Sequence, residues 1–236
     1  MITILQAQQI VNSTIAVAQK PKEVGLGDMI IAGGWLMIPL ALLLAIALFI
    51  FVERYKVIRK ASVADVPFMN KIRELIYAGN IKGAIIVCKK ANSPLSRMIE
   101  SGIDHLGMPI ADVSKSIENA ANLEVSKLEN NLPFLATIAG GAPMIGFLGT
   151  VLGMVEAFMN LSQTTGGFDM ALLSSGMYTA MVTTVAGLIV GIPAYFGYNF
   201  LVQKVDKVVF QMEANTIAFM DILQRPRRRE GEQIKR

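Results

Sequence analysis

Charge, cysteine and histidine are all scarce in this chain. A single cysteine (Cys88) and a single histidine (His105) among 236 residues leave no disulfide framework and no ligand set for zinc or haem. Charged residues make up only 17% and hydrophobic residues 53%, against about 25% and 45–50% in ordinary soluble domains. So few charges would not cover the surface of a water-soluble domain of this size, and the abundance of Leu, Ile, Val and Phe excludes a mainly disordered chain. No phosphate-binding glycine loop is present, because Gly140-Gly141 is not followed by Lys-Ser or Lys-Thr. With no catalytic constellation either, neither enzymatic activity nor a cofactor is expected. The formal net charge of +4 is modest and the basic residues are interleaved with acids, which argues against nucleic acid as a partner.

The apolar residues gather into three runs that contain no charged side chain. The first fills the 24 positions between Asp28 and Glu53, and as a helix it would reach about 36 Å, enough for a hydrocarbon core of about 30 Å. Trp35 sits at one end as an interfacial anchor would, and Arg54, Lys56, Arg59 and Lys60 crowd the other. The second run lies between Glu129 and Glu156, the third between Asp169 and Lys204. Both are richer in small residues than the first. Gly146, Gly149 and Gly153 fall on one side of a helix, as do Ala180, Thr184, Gly187 and Gly191. Lipid tails offer helices no hydrophobic reason to associate, so small residues that permit close backbone approach mark helices that pack on helices. The first helix therefore reads as lipid-facing, and the second and third as buried against each other or a partner.

Lys and Arg number 2 in residues 1–28, 12 in 54–128, none in 157–169 and 8 in 204–236. With three spans the two rich segments share one side, which the positive-inside rule makes the cytoplasm. The expected layout is an outer N-terminal segment (1–28), a membrane helix (29–52), a cytoplasmic helical domain (53–130), a second membrane helix (131–156), an outer loop (157–172), a third membrane helix (173–200), and a cytoplasmic C-terminal helix with a basic tail (201–236). This is an all-α integral membrane protein. The N-terminal stretch is read as a short amphipathic external segment rather than a cleaved leader, since no Lys or Arg precedes Lys20. Shorter helices are expected between Lys60 and Pro109, broken near Pro67, Gly79-Asn80, Pro94 and Gly107. The helix at 112–132, with Val113, Ile117, Ala121, Leu128 and Leu132 on one face, is expected to run on into the second apolar run, with at most a kink at Pro133. An apolar face through Val205, Val208, Val209, Met212, Phe219, Met220 and Leu223 carries the third helix into the cytoplasm, with Pro226 as its stop and the Arg-rich tail as a solvated end.

Polar groups at membrane depth are costly unless they line a cavity. The candidates are Thr137, Thr150, Glu156, Thr179, Thr183 and Thr184. Each Thr can instead satisfy its hydroxyl on its own helix. Glu156, at the outer end of the second helix, can be an interfacial carboxylate or stand in a pore mouth.

The stretch Pro143-Met-Ile-Gly146-Phe-Leu-Gly149-Thr150-Val-Leu-Gly153-Met, followed by Gly176-Met-Tyr-Thr179-Ala-Met-Val-Thr-Thr184-Val-Ala-Gly187-Leu-Ile-Val-Gly191-Ile-Pro193-Ala and Tyr198-Asn199, resembles the MotA/TolQ/ExbB proton-channel family, its ExbB branch most. The resemblance implies a bacterial inner-membrane subunit that forms a homopentamer around a dimeric single-span partner, ExbD or TolR. Proton flow through such an assembly drives TonB-dependent transport or the Tol system. It places Thr150 and Thr184 on the pore wall and Gly146, Gly149, Gly153, Gly187, Gly191 and Pro193 at packing positions. Thr179 stands where well-known ExbB members carry Glu. The proton-carrying acid is then expected on the partner's helix, with Thr150, Thr179, Thr183 and Thr184 as hydroxylated wall positions and Glu156 as a candidate entry group. A TolQ-like subunit for envelope integrity, a surface-motility motor, and a non-conducting membrane scaffold are the alternatives.

Overall fold

The computed structural model describes residues 33–61, 66–163 and 170–224. A short 3-10 turn (Gly34–Leu36) leads into α1 (Met37–Ala61). There follow α2 (Val66–Tyr77), α3 (Ile81–Ala91), α4 (Pro94–Asp104), α5 (Ile110–Glu129), α6 (Leu132–Gln163) and α7 (Met170–Gln224). Among the described residues three helical stretches are long and apolar enough to cross a membrane: Gly34–Ala61, Ile110–Gln163 and Leu173–Gln224. The protein is an all-α membrane protein. The N-terminal segment, the first residues of the first apolar run, the middle of the loop after the second, and the tail with Pro226 lie outside the described residues.

α7 holds 55 residues and is about 82 Å long, far more than a bilayer of about 30 Å needs. No Gly or Pro occurs between Gly197 and Gln224 to end it. Pro193 lies inside the helix, where it removes one backbone donor. α6 runs antiparallel to α7, with Ala139 and Pro143 beside Gly191 and Ala157 beside Gly176. α1 runs parallel to α7, with Phe51 against Gly197 and a ring stack from Phe51 through Tyr55 to Phe200 at successive centroid distances of 6.3 Å.

Two features differ from the reading of the sequence. The helix at 110–129 does not run on into the second apolar run. It breaks at Asn130-Asn131, where Asn131 takes φ +64°, a left-handed conformation that Asn tolerates better than most residues. Pro133 consequently falls in the first turn of α6, where its missing N–H would have no helical partner anyway. Residues 157–163, assigned to the outer loop from the charge pattern, are helical and continue α6. A loss of hydrophobicity marks a membrane boundary but contains nothing that ends a helix.

Beyond the apolar runs, α2, α4 and α5 pack on the C-terminal part of α7, and α3 packs on α2 and α4. The ends of the short helices are set by local chemistry. Asn80 caps α3 through its side chain, accepting from Gly83 N at 2.9 Å, and Asn92 closes the helix in the left-handed region with φ 43°. Ser93 and Ser96 form a reciprocal capping box at 2.9 and 3.1 Å around Pro94, the first residue of α4. The core of this bundle joins Met98, Ile99 and Ile103 of α4, Val113 and Ile117 of α5, and Met212 and Phe219 of α7, with Ile72 of α2 and Cys88 of α3 nearby in the same cluster.

Candidate functional site

The seam between α6 and α7 is built where side chains are smallest. A methyl group at Gly187 would come within 2.7 Å of the Ala142 carbonyl oxygen and 3.0 Å of Gly146 Cα; one at Gly146 would come within 2.9 Å of the Thr183 carbonyl oxygen. These are backbone atoms and cannot rotate aside, so the crossing needs a hydrogen on each of the two facing residues. Further along, Gly149 accommodates the side chain of Thr183, Gly153 sits on Ala180, and Gly176 on Ala157. Gly191 receives the ring of Pro143, whose Cγ would stand 2.5 Å from an added methyl. Of the packing candidates only Pro193 lies off this seam. It is exposed and borders a recess between α1 and α7.

The close approach brings three of the candidate threonines together around one carbonyl. Thr150 Oγ1 and Thr184 Oγ1 are each 3.2 Å from Gly146 O and 2.5 Å from one another. Each hydroxyl has one proton. One member of the pair donates to the carbonyl, the other to the carbonyl or to its neighbour, and lone pairs remain for a further donor. Both threonines are half-buried, so the pair remains reachable from one side. Thr183 has a different role. It is 2% exposed and donates to Ala180 O at 2.8 Å; a wall position for a wet path needs exposure, and Thr183 has none within the chain.

The remaining candidates stand apart. Thr179, half-buried, makes no side-chain hydrogen bond among the described residues and lies about 7.5 Å along the axis of α7 from Thr184. Glu156 is exposed, about 9 Å beyond Thr150 along α6. Thr137 is exposed and donates back to Pro133 O at 2.9 Å, a helix-internal bond. Chemically the Thr150–Thr184 pair can donate and accept but does not itself carry a charged proton. No Asp, Glu, Lys, Arg or His lies between Glu129 and Glu156 or between Asp169 and Lys204, so a carboxylic acid acting at this depth has to come from another chain.

Beyond the seam an ionic network centred on the buried Glu124 joins α1, α4 and α5. The Glu124 carboxylate, with 4% of its side chain exposed, pairs with Arg97 and with Lys127, the latter at 2.7 Å. Burial alone would push the Glu124 carboxyl up, but the hydrogen bonds from Arg97 and Lys127 outweigh it and hold the group below its ordinary value. Arg54 donates to Glu53 at 2.7 Å and to the carbonyl of Lys127 at 3.2 Å, one of the last carbonyls of α5, which no helical N–H reaches. From sequence Arg54 counted only as a topology-setting cation. The available signal for Glu124 was an acid on the same stripe as Ile117, Ala121 and Leu128.

A family model described as the MotA/TolQ/ExbB proton channel family matches residues 90–214, from the end of α3 into the C-terminal part of α7. The chain is 37% identical over 99 residues to the Tol-Pal system protein TolQ of Haemophilus influenzae, covering 42% of this chain and 43% of that protein. It is 27% identical over 176 residues to a biopolymer transport protein ExbB homologue of Methanothermobacter thermautotrophicus, covering 73% and 62%. To the biopolymer transport protein ExbB of Aquifex aeolicus it is 37% identical over 100 residues, covering 42% and 66%. The match thus spans less than two thirds of each relative. The family match over residues 90–214 contains the glycine seam, the Thr150–Thr184 pair and Glu124 with its partners Arg97 and Lys127, and on it the chain belongs to the MotA/TolQ/ExbB proton channel family.

Proposed function

We propose that the chain is the channel and stator subunit of a proton-motive-force-driven energy transducer in a bacterial inner membrane. In this reading residues 29–52, 131–156 and 173–200 cross the bilayer, and the Lys- and Arg-rich segments 53–130 and 201–236 face the cytoplasm. Five copies surround an ExbD- or TolR-like dimeric helix, and the assembly drives a TonB-like protein. The observation that carries the proposal is the hydroxyl pair Thr150–Thr184, held half-exposed on a seam otherwise built from glycine, alanine, Pro143 and the buried Thr183. A wall of this kind can hydrogen-bond a water or a carboxyl group passing along it without trapping it by charge. A proton moving through about 100 mV releases about 2.3 kcal/mol, and an acid on the partner's helix, neutralised on one side and recharged on the other, would convert that release into motion. Glu156, at the outer end of α6, would feed the path.

The likeness to TolQ proteins favours one second reading, a Tol-type subunit that serves envelope integrity, with the same channel chemistry. The test is proton flux in liposomes containing the chain with a co-expressed single-span partner. Thr150→Val with Thr184→Val should reduce flux at least about tenfold, the loss of roughly one hydrogen bond to a charged group, while Thr150→Ser should keep it. Wild-type flux from the Val double variant would refute the role of the hydroxyl pair, and absence of flux from the wild type itself would refute the channel role and favour a non-conducting scaffold. Unchanged flux from Glu156→Gln would remove Glu156 from the path.

A further inference from the structure

A second feature of the membrane region lies away from the α6–α7 seam and is independent of proton conduction. Between α1 and α7 is an apolar recess of about 430 Å³ whose walls include Leu44, Ala47, Leu48, Phe51, Phe196 and Phe200. Gly197 keeps its floor open, since a methyl there would stand 3.0 Å from the Phe51 ring. The two helices are parallel, so the recess follows both from Leu44 to Phe51 and from Val190 to Phe200, about 10 and 15 Å of axis. That matches one leaflet of a hydrocarbon core of about 30 Å. On the next turn the chemistry changes. A cleft of about 130 Å³ is lined by Tyr55, Ile58, Arg59, Leu201 and Lys204, and Lys204 Nζ stands 5.4 Å above the Phe200 ring. Arg54, earlier on α1, is occupied by Glu53 and Lys127; Arg59 and Lys204 make no ion pair among the described residues.

We propose that this recess and the Arg59–Lys204 cleft together form a binding site for an anionic phospholipid, with one acyl chain along Phe51 and Phe200 and the phosphate between the two cations. An acyl chain fills an apolar groove that water would not, and a guanidinium presents a fork matched to phosphate oxygens. Two uncompensated cations at the headgroup level select an anionic over a zwitterionic lipid. A covering helix from a second copy would have to bring carboxylates to the same two cations.

The test is native mass spectrometry of the full chain in mild detergent after delipidation, offered phosphatidylglycerol and phosphatidylcholine with identical chains. The wild type should retain phosphatidylglycerol with a preference on the order of tenfold, following from two cations near the headgroup. Arg59→Gln with Lys204→Gln should bring the preference close to one, and Arg59→Lys with Lys204→Arg should restore it. Retained shielding of Cys88 from thiol reagents shows that each variant is folded. Equal retention of the two lipids by the wild type, or an unchanged preference in the Gln variant, would overturn the proposal. So would displacement by glycerol phosphate at the same concentration as the lipid, which would make the site one for soluble anions. A disulfide dimer formed readily by Leu48→Cys, together with loss of lipid, would assign the recess to a second copy instead.

Discussion

The α6–α7 crossing can be tested by adding one carbon atom. In Gly187→Ala the new methyl would meet Ala142 O at 2.7 Å, Gly146 Cα at 3.0 Å and Gly146 N at 3.2 Å, all of them backbone atoms. Ordinary contact begins near 3.4 Å, so the helices must part by several tenths of an ångström along the whole seam. Overpacking of this kind costs about 1–3 kcal/mol, and the parting also stretches the Thr184 bond to Gly146 O, worth about 1 kcal/mol. Against this, replacing a mid-helix Gly with Ala gains about 0.5–1 kcal/mol. The net expectation is a loss of about 1–3 kcal/mol. Gly140→Ala is the matched control, because a methyl there meets nothing within 4 Å, and it should be neutral or stabilising by up to about 1 kcal/mol. Both variants would be measured by reversible unfolding in mixed micelles. Equal stabilities for the two would show that the seam is not closely packed at Gly187 and would refute the reasoning.

Glu124→Gln should destabilise the α2–α5 bundle by about 1–2 kcal/mol, a modest cost because Arg97 and Lys127 are 39% and 56% exposed and solvent screens them. The native Glu124 carboxyl lies below its ordinary 4.5, so its stabilisation is present above that pH and is lost as pH falls through the native value; thermal melts of wild type and variant should converge in acid, and a constant gap would contradict the network. Burial, then Glu100 and Asp104, push the Cys88 thiol up to about 12, so maleimide at pH 8 should label it only on unfolding, and rapid labelling of the folded protein would refute the packing around it. In Gly102→Val the first added carbon would already meet Ile117 at 2.7 Å and Phe219 at 2.9 Å; a loss of about 2 kcal/mol or more is expected, read as a lower denaturation midpoint, and an unchanged midpoint would count against this core.

The three spans and the small-residue faces were legible in the sequence because each depends on a property of single residues: the absence of charge over a bilayer's thickness, or the absence of a side chain at helical spacing. Gly146, Gly149, Gly153, Gly187 and Gly191 could be picked out before any partner was known, since only close packing makes so many small residues useful on one face. Family membership was legible for the same reason, the motif being short, local and composed of unusual residues.

Pairings between distant segments depended on the tertiary structure. Spacing treated Thr150, Thr179, Thr183 and Thr184 alike, and only the antiparallel register of α6 on α7 joined Thr150 and Thr184 at Gly146, buried Thr183 and set Thr179 apart. Arg54 and Glu124, 70 positions apart in the sequence, belong to one network because α1 reaches the end of α5, and the same parallel course of α1 and α7 places Arg59 beside Lys204. The break at Asn130-Asn131 was hidden because Asn is tolerated inside a helix as well as in a left-handed turn, and packing makes the choice. Composition and periodicity report what each residue does against water or lipid; which residues face one another is decided by the register of packed helices, a property that belongs to pairs.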